Sequence, residues 1–221
     1  MEHTPEVQKQ YFQFAYQTGS DIWSHLPYRF RAEAMLPDLP KDSLVLDVGS
    51  GRGLWAAKLV GLGYRVLGID YIEEVVKKAN DRIRDEGYQD RARFLVADVL
   101  DIPFVDAGFD LVTDVGTLQH LTHDLWDDYV REVARVLKPG GYMLKVSLSR
   151  KTTRFLGWNP GASSDGEFTK FGVHYHFFTE AEVDHLFSDD FDIIEHQYET
   201  YNTQSDPGDA VTLLFTLIRK K

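Results

Sequence analysis

The sequence predicts one α/β domain on a doubly wound, mostly parallel sheet, with an antiparallel last strand and a helical cap at the N-terminus. Three observations carry that expectation. Short apolar runs recur without polar alternation, helical spacing fills the gaps between them, and a glycine-rich turn follows the first run directly. A strand covered on both faces loses the alternation of a half-exposed one. Strand–helix alternation then implies parallel neighbours joined by right-handed crossovers. With 221 residues, 43% of them hydrophobic and 13% aromatic, the chain can bury a sizeable core, which excludes disorder.

The cap is expected over residues 1–40. Thr4 and Pro5 suit the cap and first position of a helix whose apolar face would be Val7, Tyr11, Phe14 and Ala15. A second helix is read from Pro27 to Leu36, followed by a turn-rich connector over 37–42. Residues 41–148 should form the core. Its strands are read at Leu44–Val48, Arg65–Ile69, Ala92–Val96, Phe109–Thr113 and Gly141–Val146. Ile72, Val75, Val76, Ala79 and Ile83 lie on one helical face, as do Leu125, Tyr129, Val133, Val136 and Leu137. Lys138-Pro139-Gly140-Gly141 then reads as a turn.

Residues 149–178 read as a loop-rich insertion around Trp158. The last segment, 179–221, starts with Thr179-Glu180-Ala181-Glu182, a capping box flanked by Phe178 and Val183 as a staple. Two β-rich runs, Phe191–Glu195 and Val211–Ile218, are close enough to pair antiparallel across a connector at 203–209.

Composition excludes several functions. Lys and Arg number 24 against 35 Asp and Glu, a net charge of −11, which argues against a nucleic-acid partner. The absence of cysteine excludes a disulfide scaffold, thiolate metal sites and a cysteine nucleophile. No apolar run approaches the ~20 residues that span a bilayer. Residues Met1–Glu6 lack the pattern of a secretory signal, so a soluble, cytoplasmic protein without membrane contact is expected.

Asp47-Val48-Gly49-Ser50-Gly51-Arg52-Gly53 carries the strongest chemical signal, set between an apolar strand and the start of a helix. Glycines there allow positive φ and close backbone approach, and helix-start N–H groups suit a carboxylate or phosphate. The dinucleotide fingerprint G-x-G-x-x-G fails, because position 54 is Leu, and Asp47 would add negative charge beside a pyrophosphate. A nicotinamide dehydrogenase is therefore set aside.

Asp-x-Gly-x-Gly-x-Gly after a first strand resembles the first motif of class I S-adenosylmethionine-dependent methyltransferases. The resemblance continues in register: Gly68-Ile69-Asp70, Phe94-Leu95-Val96-Ala97-Asp98, Phe109–Val112 with Leu118-Gln119-His120-Leu121, and Leu137–Gly141. It covers residues 44–148 and implies a Rossmann-like sheet with S-adenosylmethionine as cofactor and S-adenosylhomocysteine as product. It implies Asp70 at the ribose hydroxyls and Asp98 with the Val99 backbone at the adenine amine. Gly49, Gly51 and Gly53 would cradle the methionyl part and ribose, with Asp47 near the ammonium. Tyr71, Asp114 and Gln119 are further cofactor candidates, a border of the acceptor pocket being the other reading of Gln119. A carboxylate suits a diol because charge-assisted hydrogen bonds are the stronger kind.

The acceptor is read from weaker signals. His120 follows the fourth strand with a near-neutral reference pKa, so it is the candidate general base, packing being the other reading. Tyr11, Tyr16 and Trp23 suit a hydrophobic lid or ordinary core. Arg150, with Lys151 and Arg154, is a basic exception that could attract an anionic acceptor. His174 and His176 suit a substrate wall or packing; His-x-His alone does not establish a metal site, and none is expected. The resulting expectation is a methyltransferase acting on a small molecule. The rivals are an RNA or protein methyltransferase and a non-catalytic cofactor-binding scaffold. Oligomeric state has no signal in the sequence.

Overall fold

The computed structural model describes residues 3–25, 29–153, 166–203 and 206–221. Its elements run α1 (Pro5–Thr18), α2 (Arg29–Ala34), β1 (Leu44–Val48), α3 (Leu54–Gly61), β2 (Arg65–Asp70), α4 (Glu73–Asp85), β3 (Ala92–Val96) and β4 (Phe109–Val115). Next come α5 (Trp126–Val136), β5 (Leu137–Leu148), β6 (Glu167–Lys170), β7 (Val173–His176), α6 (Glu180–Phe187), β8 (Phe191–Thr203) and β9 (Asp206–Lys220). Seven strands form one sheet in the order β3-β2-β1-β4-β5-β9-β8. β9 runs antiparallel to both neighbours, and β1 to β5 pair in parallel. The strand order reverses direction at β1 and β4, which is where open α/β sheets leave a crevice at their carboxyl edge.

Both faces of the sheet are covered, which is why its strands lack polar alternation. Val45, Leu111 and Leu144 point to the layer holding Trp55 and Leu59 of α3 and Ala79 of α4. Their neighbours Leu46, Val112 and Met143 point the other way, onto Tyr129 and Val133 of α5 and Val183 and Phe187 of α6. Moving any of these strands by one residue would exchange the two layers, so register is strongly fixed. The capping box at Thr179 forms as expected, with both reciprocal bonds present. No described helix is long and apolar enough to cross a membrane.

Four expectations need correction. The buried face of α1 is Gln8, Phe12, Ala15 and Tyr16, whereas Phe14 is 60% exposed. The helix turns this way because Gln8 is needed inside: its amide donates to the His120 carbonyl (3.0 Å) and accepts from the His174 N–H (2.9 Å). The segment Lys138–Gly141 is no turn between elements but the first part of β5. A register shift between Phe109 and Leu111, with Gly140 at φ +73°, absorbs the extra residues. The insertion contains a β6–β7 hairpin, pairing Glu167 with His176 and Lys170 with Val173. Trp158 and Arg154 lie outside the described residues. Finally, β8 reaches Thr203 and β9 begins at Asp206, so most of the expected connector is strand.

Side-chain clamps tie the N-terminal segment to the core. Arg52, between the second and third glycines, donates to both oxygens of the fully buried Asp21 at 2.7 and 2.8 Å and to the Tyr16 carbonyl. Burial pushes the Asp21 carboxyl up, but bonds from Arg52 and Ser24 outweigh it and hold it below the usual carboxylate value. A depressed acid stabilises the fold above its unfolded pKa and is lost as pH falls. Asp21→Ala is therefore expected to cost about 2–3 kcal/mol at pH 7, discounted because Arg52 keeps some solvent contact. Urea denaturation checks this, and the cost should shrink as pH falls through the carboxylate range.

Candidate functional site

The carboxyl ends of the parallel strands carry the acids. Asp47 lies near the end of β1, Asp70 ends β2, Asp98 follows β3 and Asp114 lies near the end of β4. In front of them opens a cleft of about 310 Å³, walled by α1 and by the segment after β4. Gly49, Asp70, Tyr71, Asp98, Val99, His120, Tyr16 and Trp23 line it. A smaller recess of about 50 Å³ shares Tyr16, Trp23 and Gly49 with the cleft and reaches Asp47 and Gly51.

The glycine turn is shaped by close approach. Gly49 sits at φ +63°, and a Cβ there would meet the Thr117 hydroxyl. Gly53 caps α3 at φ +70° and packs on Phe94 and Ala79, so it supports the helix rather than lining either hollow. Asp70 is 5% exposed and is held by two backbone donors at 3.0 Å: Ile72 N–H on Oδ1 and Gly51 N–H on Oδ2. It thereby locks the glycine turn to the end of β2. Asp98 is exposed at the rim and accepts the Leu100 N–H.

Asp47 is 2% exposed; its Oδ1 accepts from the Thr113 hydroxyl (2.8 Å), and its Oδ2 is a buried oxygen with no hydrogen-bond partner. Burial first, then the nearby charges of Asp114 and Asp70, raise its pKa to about 7 against the Thr113 bond. Burial raises Asp70 to about 6, opposed by its backbone donors. Uncompensated buried carboxylates call for a cation. A ligand bearing positive charge favours their ionised forms, so its affinity should rise between pH 5.5 and 7.5 as fewer protons need to leave. In the ligand-free protein the raised acids stabilise the fold below pH ~4, and that contribution is lost through pH 6 to 7. The thermal shift produced by a cationic ligand should accordingly be larger at pH 7.5 than at pH 5.5.

The structure places other candidates behind the cleft. Asp114 accepts from the N–H groups of Thr117 and Leu118 and from the Tyr129 hydroxyl, anchoring the short turn Leu118–His120. Gln119 accepts the Leu148 N–H, tying that turn to β5. Tyr11 stacks on Phe171 at the surface. Arg150 pairs with Glu182 at 2.7 Å, and the Lys151 ammonium sits over the Tyr198 ring; neither lines the cleft. His176 packs edge-on to Trp126, with Nε2 3.2 Å from Glu182. His174 supports the wall from outside. Its carbonyl meets His120 Nδ1 at 2.8 Å, so that nitrogen carries the proton and Nε2 the lone pair.

His120 itself lines the cleft between the edges of Phe12 and Tyr175, each 5.0 Å away. Burial lowers its pKa to about 4, against the bond to His174, so the near-neutral value expected from the sequence does not hold. Sequence reasoning missed Gln8, Thr117 and the Asp21–Arg52 clamp. An arginine set between two turn glycines was the available signal for the last.

Residues 45–141 match a family model described as a methyltransferase domain. A ubiquinone/menaquinone biosynthesis C-methyltransferase UbiE from Pseudomonas entomophila is 38% identical over 115 residues, 51% of this chain and 44% of that protein. The chain thus spans about half the length of the curated relatives it matches. A Burkholderia thailandensis 1,6-didemethyltoxoflavin-N1-methyltransferase, solved with 1,6-didemethyltoxoflavin and S-adenosylhomocysteine, superposes with a TM-score of 0.80 at 23% identity. That match covers 98% of this chain and 88% of the other. A Methanosarcina mazei SAM-dependent methyltransferase gives a TM-score of 0.71 at 25% identity, covering 88% and 97%.

Proposed function

We propose that this chain, whose residues 45–141 match a methyltransferase-domain family model, is a class I S-adenosylmethionine-dependent methyltransferase that transfers a methyl group to a small organic acceptor held against its N-terminal cap. The observation that carries this reading is the convergence of Asp70, Asp98 and Gly49 on the cleft and of Asp47 and Gly51 on the recess beside it. The residues fit the cofactor. Asp47 Oδ2, buried and unpartnered, suits its ammonium; Asp70 suits the ribose diol; Asp98 and the Val99 backbone suit the adenine. Tyr71, which lines the cleft next to Asp70, has a buried hydroxyl without a partner that can bind the same ligand.

S-adenosylmethionine supplies, when bound, a methyl group on a positively charged sulfur, which a nucleophile displaces in line. Since charge is lost in that displacement, the chain's main task is to position the reactants and keep water out. Phe12, Tyr16 and Trp23 form the apolar side of the enclosure, with Trp23 donating to the Tyr16 hydroxyl at 3.1 Å. Asp114 and Gln119 act as positioning residues, because they fix the turn that presents His120. His120 is the candidate base and is neutral throughout the physiological range. A cleft of about 310 Å³ that takes the cofactor as well leaves little room for the acceptor, which supports a small acceptor over RNA or a protein segment.

The test is incubation of the full chain with S-adenosylmethionine and a panel of small acceptors, read by mass spectrometry. Release of S-adenosylhomocysteine with a matching methylated acceptor is expected. His120→Gln should lower turnover at least tenfold while cofactor affinity holds, in line with the usual contribution of a general base. Cofactor binding with no transfer to any acceptor would leave a scaffold instead.

A further inference from the structure

Besides its acids, the cleft has imidazole and apolar groups. His3, Phe12, His120, Leu121 and Leu125 line it, and no lysine or arginine does so among the described residues. His3 Nε2 is a buried ring nitrogen without a hydrogen-bond partner. The ring of His3 meets that of His174 edge-on at 5.8 Å, while the His174 carbonyl fixes the His120 tautomer. One β7 residue therefore braces both imidazoles. The N–H of that residue is held in turn by Gln8. Among the described residues the side-chain partner of His120 Nε2 is the Gln119 amide at 3.3 Å, a long contact that a better donor can replace.

We propose that these residues bind an uncharged, planar, conjugated acceptor bearing an acidic hydroxyl or ring N–H, with His3 Nε2 and His120 Nε2 as its two polar contacts. The proposal rests on the methyltransferase reading and narrows its acceptor. Phe12 and the two leucines supply apolar area for a flat ring, and the two imidazoles supply hydrogen bonding, His120 without charge. A carboxylate or phosphate on the acceptor would share the cleft with Asp70 and Asp98 and find no lysine or arginine among its described lining residues. Arg150, the basic residue that the sequence offered for an anionic acceptor, is paired with Glu182 away from the cleft.

The strength of the base points the same way. With a pKa near 4, His120 is too weak to activate an alkanol but adequate for a proton made acidic by conjugation. In the transfer, the acceptor's lone pair forms the bond to the methyl carbon and the carbon–sulfur bond breaks with its electrons on sulfur. The acceptor's proton passes to His120 Nε2 and then to solvent, which leaves neutral S-adenosylhomocysteine and the methylated ring.

The test compares umbelliferone, 2-naphthol and hydroxyquinoline with a ring-carboxylated umbelliferone, cyclohexanol and cyclohexylamine, using the full chain and His3→Phe. Calorimetric binding in the presence of S-adenosylhomocysteine and mass-spectrometric product detection are both read. The uncharged aromatic hydroxyl compounds should bind and be methylated, the carboxylated one at least tenfold worse in both. His3→Phe, which keeps the ring and removes the nitrogen, should weaken acceptor binding at least fivefold with cofactor affinity unchanged. Preferential methylation of the carboxylated ring or the amine overturns the acceptor assignment alone. Unaltered acceptor binding in His3→Phe also overturns it. Cofactor binding without methylation of any compound overturns the assignment and the transfer reading together.

Discussion

Asp70→Ala is expected to lower the affinity for S-adenosylmethionine by about a hundredfold in calorimetry. The carboxylate would accept two ribose hydroxyls, and charge-assisted bonds contribute about 1.5–3 kcal/mol each. Loss of only part of that sum accounts for a factor of a hundred, since 1.4 kcal/mol is about tenfold. Asp70 also accepts the Gly51 N–H, so alanine frees one donor of the glycine turn as well. Asp70→Asn keeps one acceptor oxygen and should fall between wild type and alanine. Unchanged affinity in the alanine variant would remove the ribose assignment.

Gly49→Ala is expected to lower cofactor affinity at least tenfold and to destabilise the fold by about 1–3 kcal/mol, seen as a lower Tm. At φ +63° the new Cβ is strained, and it runs into the Thr117 hydroxyl. Thr117 cannot yield without cost. Its hydroxyl donates to the Val48 carbonyl (3.0 Å), its N–H donates to Asp114, and the His120 turn starts from it. Gly19→Ala is the control. It has a similar φ of +72° but nothing within 4 Å of the added carbon, so it should cost stability and leave cofactor affinity intact. Equal affinity losses in both variants would show that the close approach at Gly49 has no bearing on the site.

These two positions were legible in the sequence because strand, turn and acid recur in fixed order along β1 and β2. Buried parallel strands announce themselves by apolar runs, and the capping box at Thr179 by its local spacing. The cap was less legible. Gln8 occupies a buried position on α1 because it bridges His120 and His174, and a polar residue doing so breaks the hydrophobic pattern that identifies a buried face. The β6–β7 hairpin was hidden for a related reason: Phe171 stands 64% exposed at its turn, stacked on Tyr11, so apolar residues there do not mark the inner face. Asp114 and Gln119 look like ligands in sequence, next to the acids of the other strands. In the fold they turn to backbone N–H groups, and their effect reaches the cleft through the position of His120. The acceptor end depends on His3 and His120, far apart in the chain, meeting through β7, which no spacing in the sequence encodes.

The most direct test of the central claim is a calorimetric titration of the full chain with S-adenosylmethionine at pH 6.5, repeated in two buffers of different ionisation heat. The acids at the ends of β1 and β2 have pKa values raised to about 7 and 6, so a cationic ligand must displace protons from them. Binding of one ligand per chain is expected, with an apparent heat that differs between buffers by the protons released. No binding, or binding that releases no protons and is equally tight at pH 5.5 and 7.5, would contradict a cofactor seated against Asp47 and Asp70.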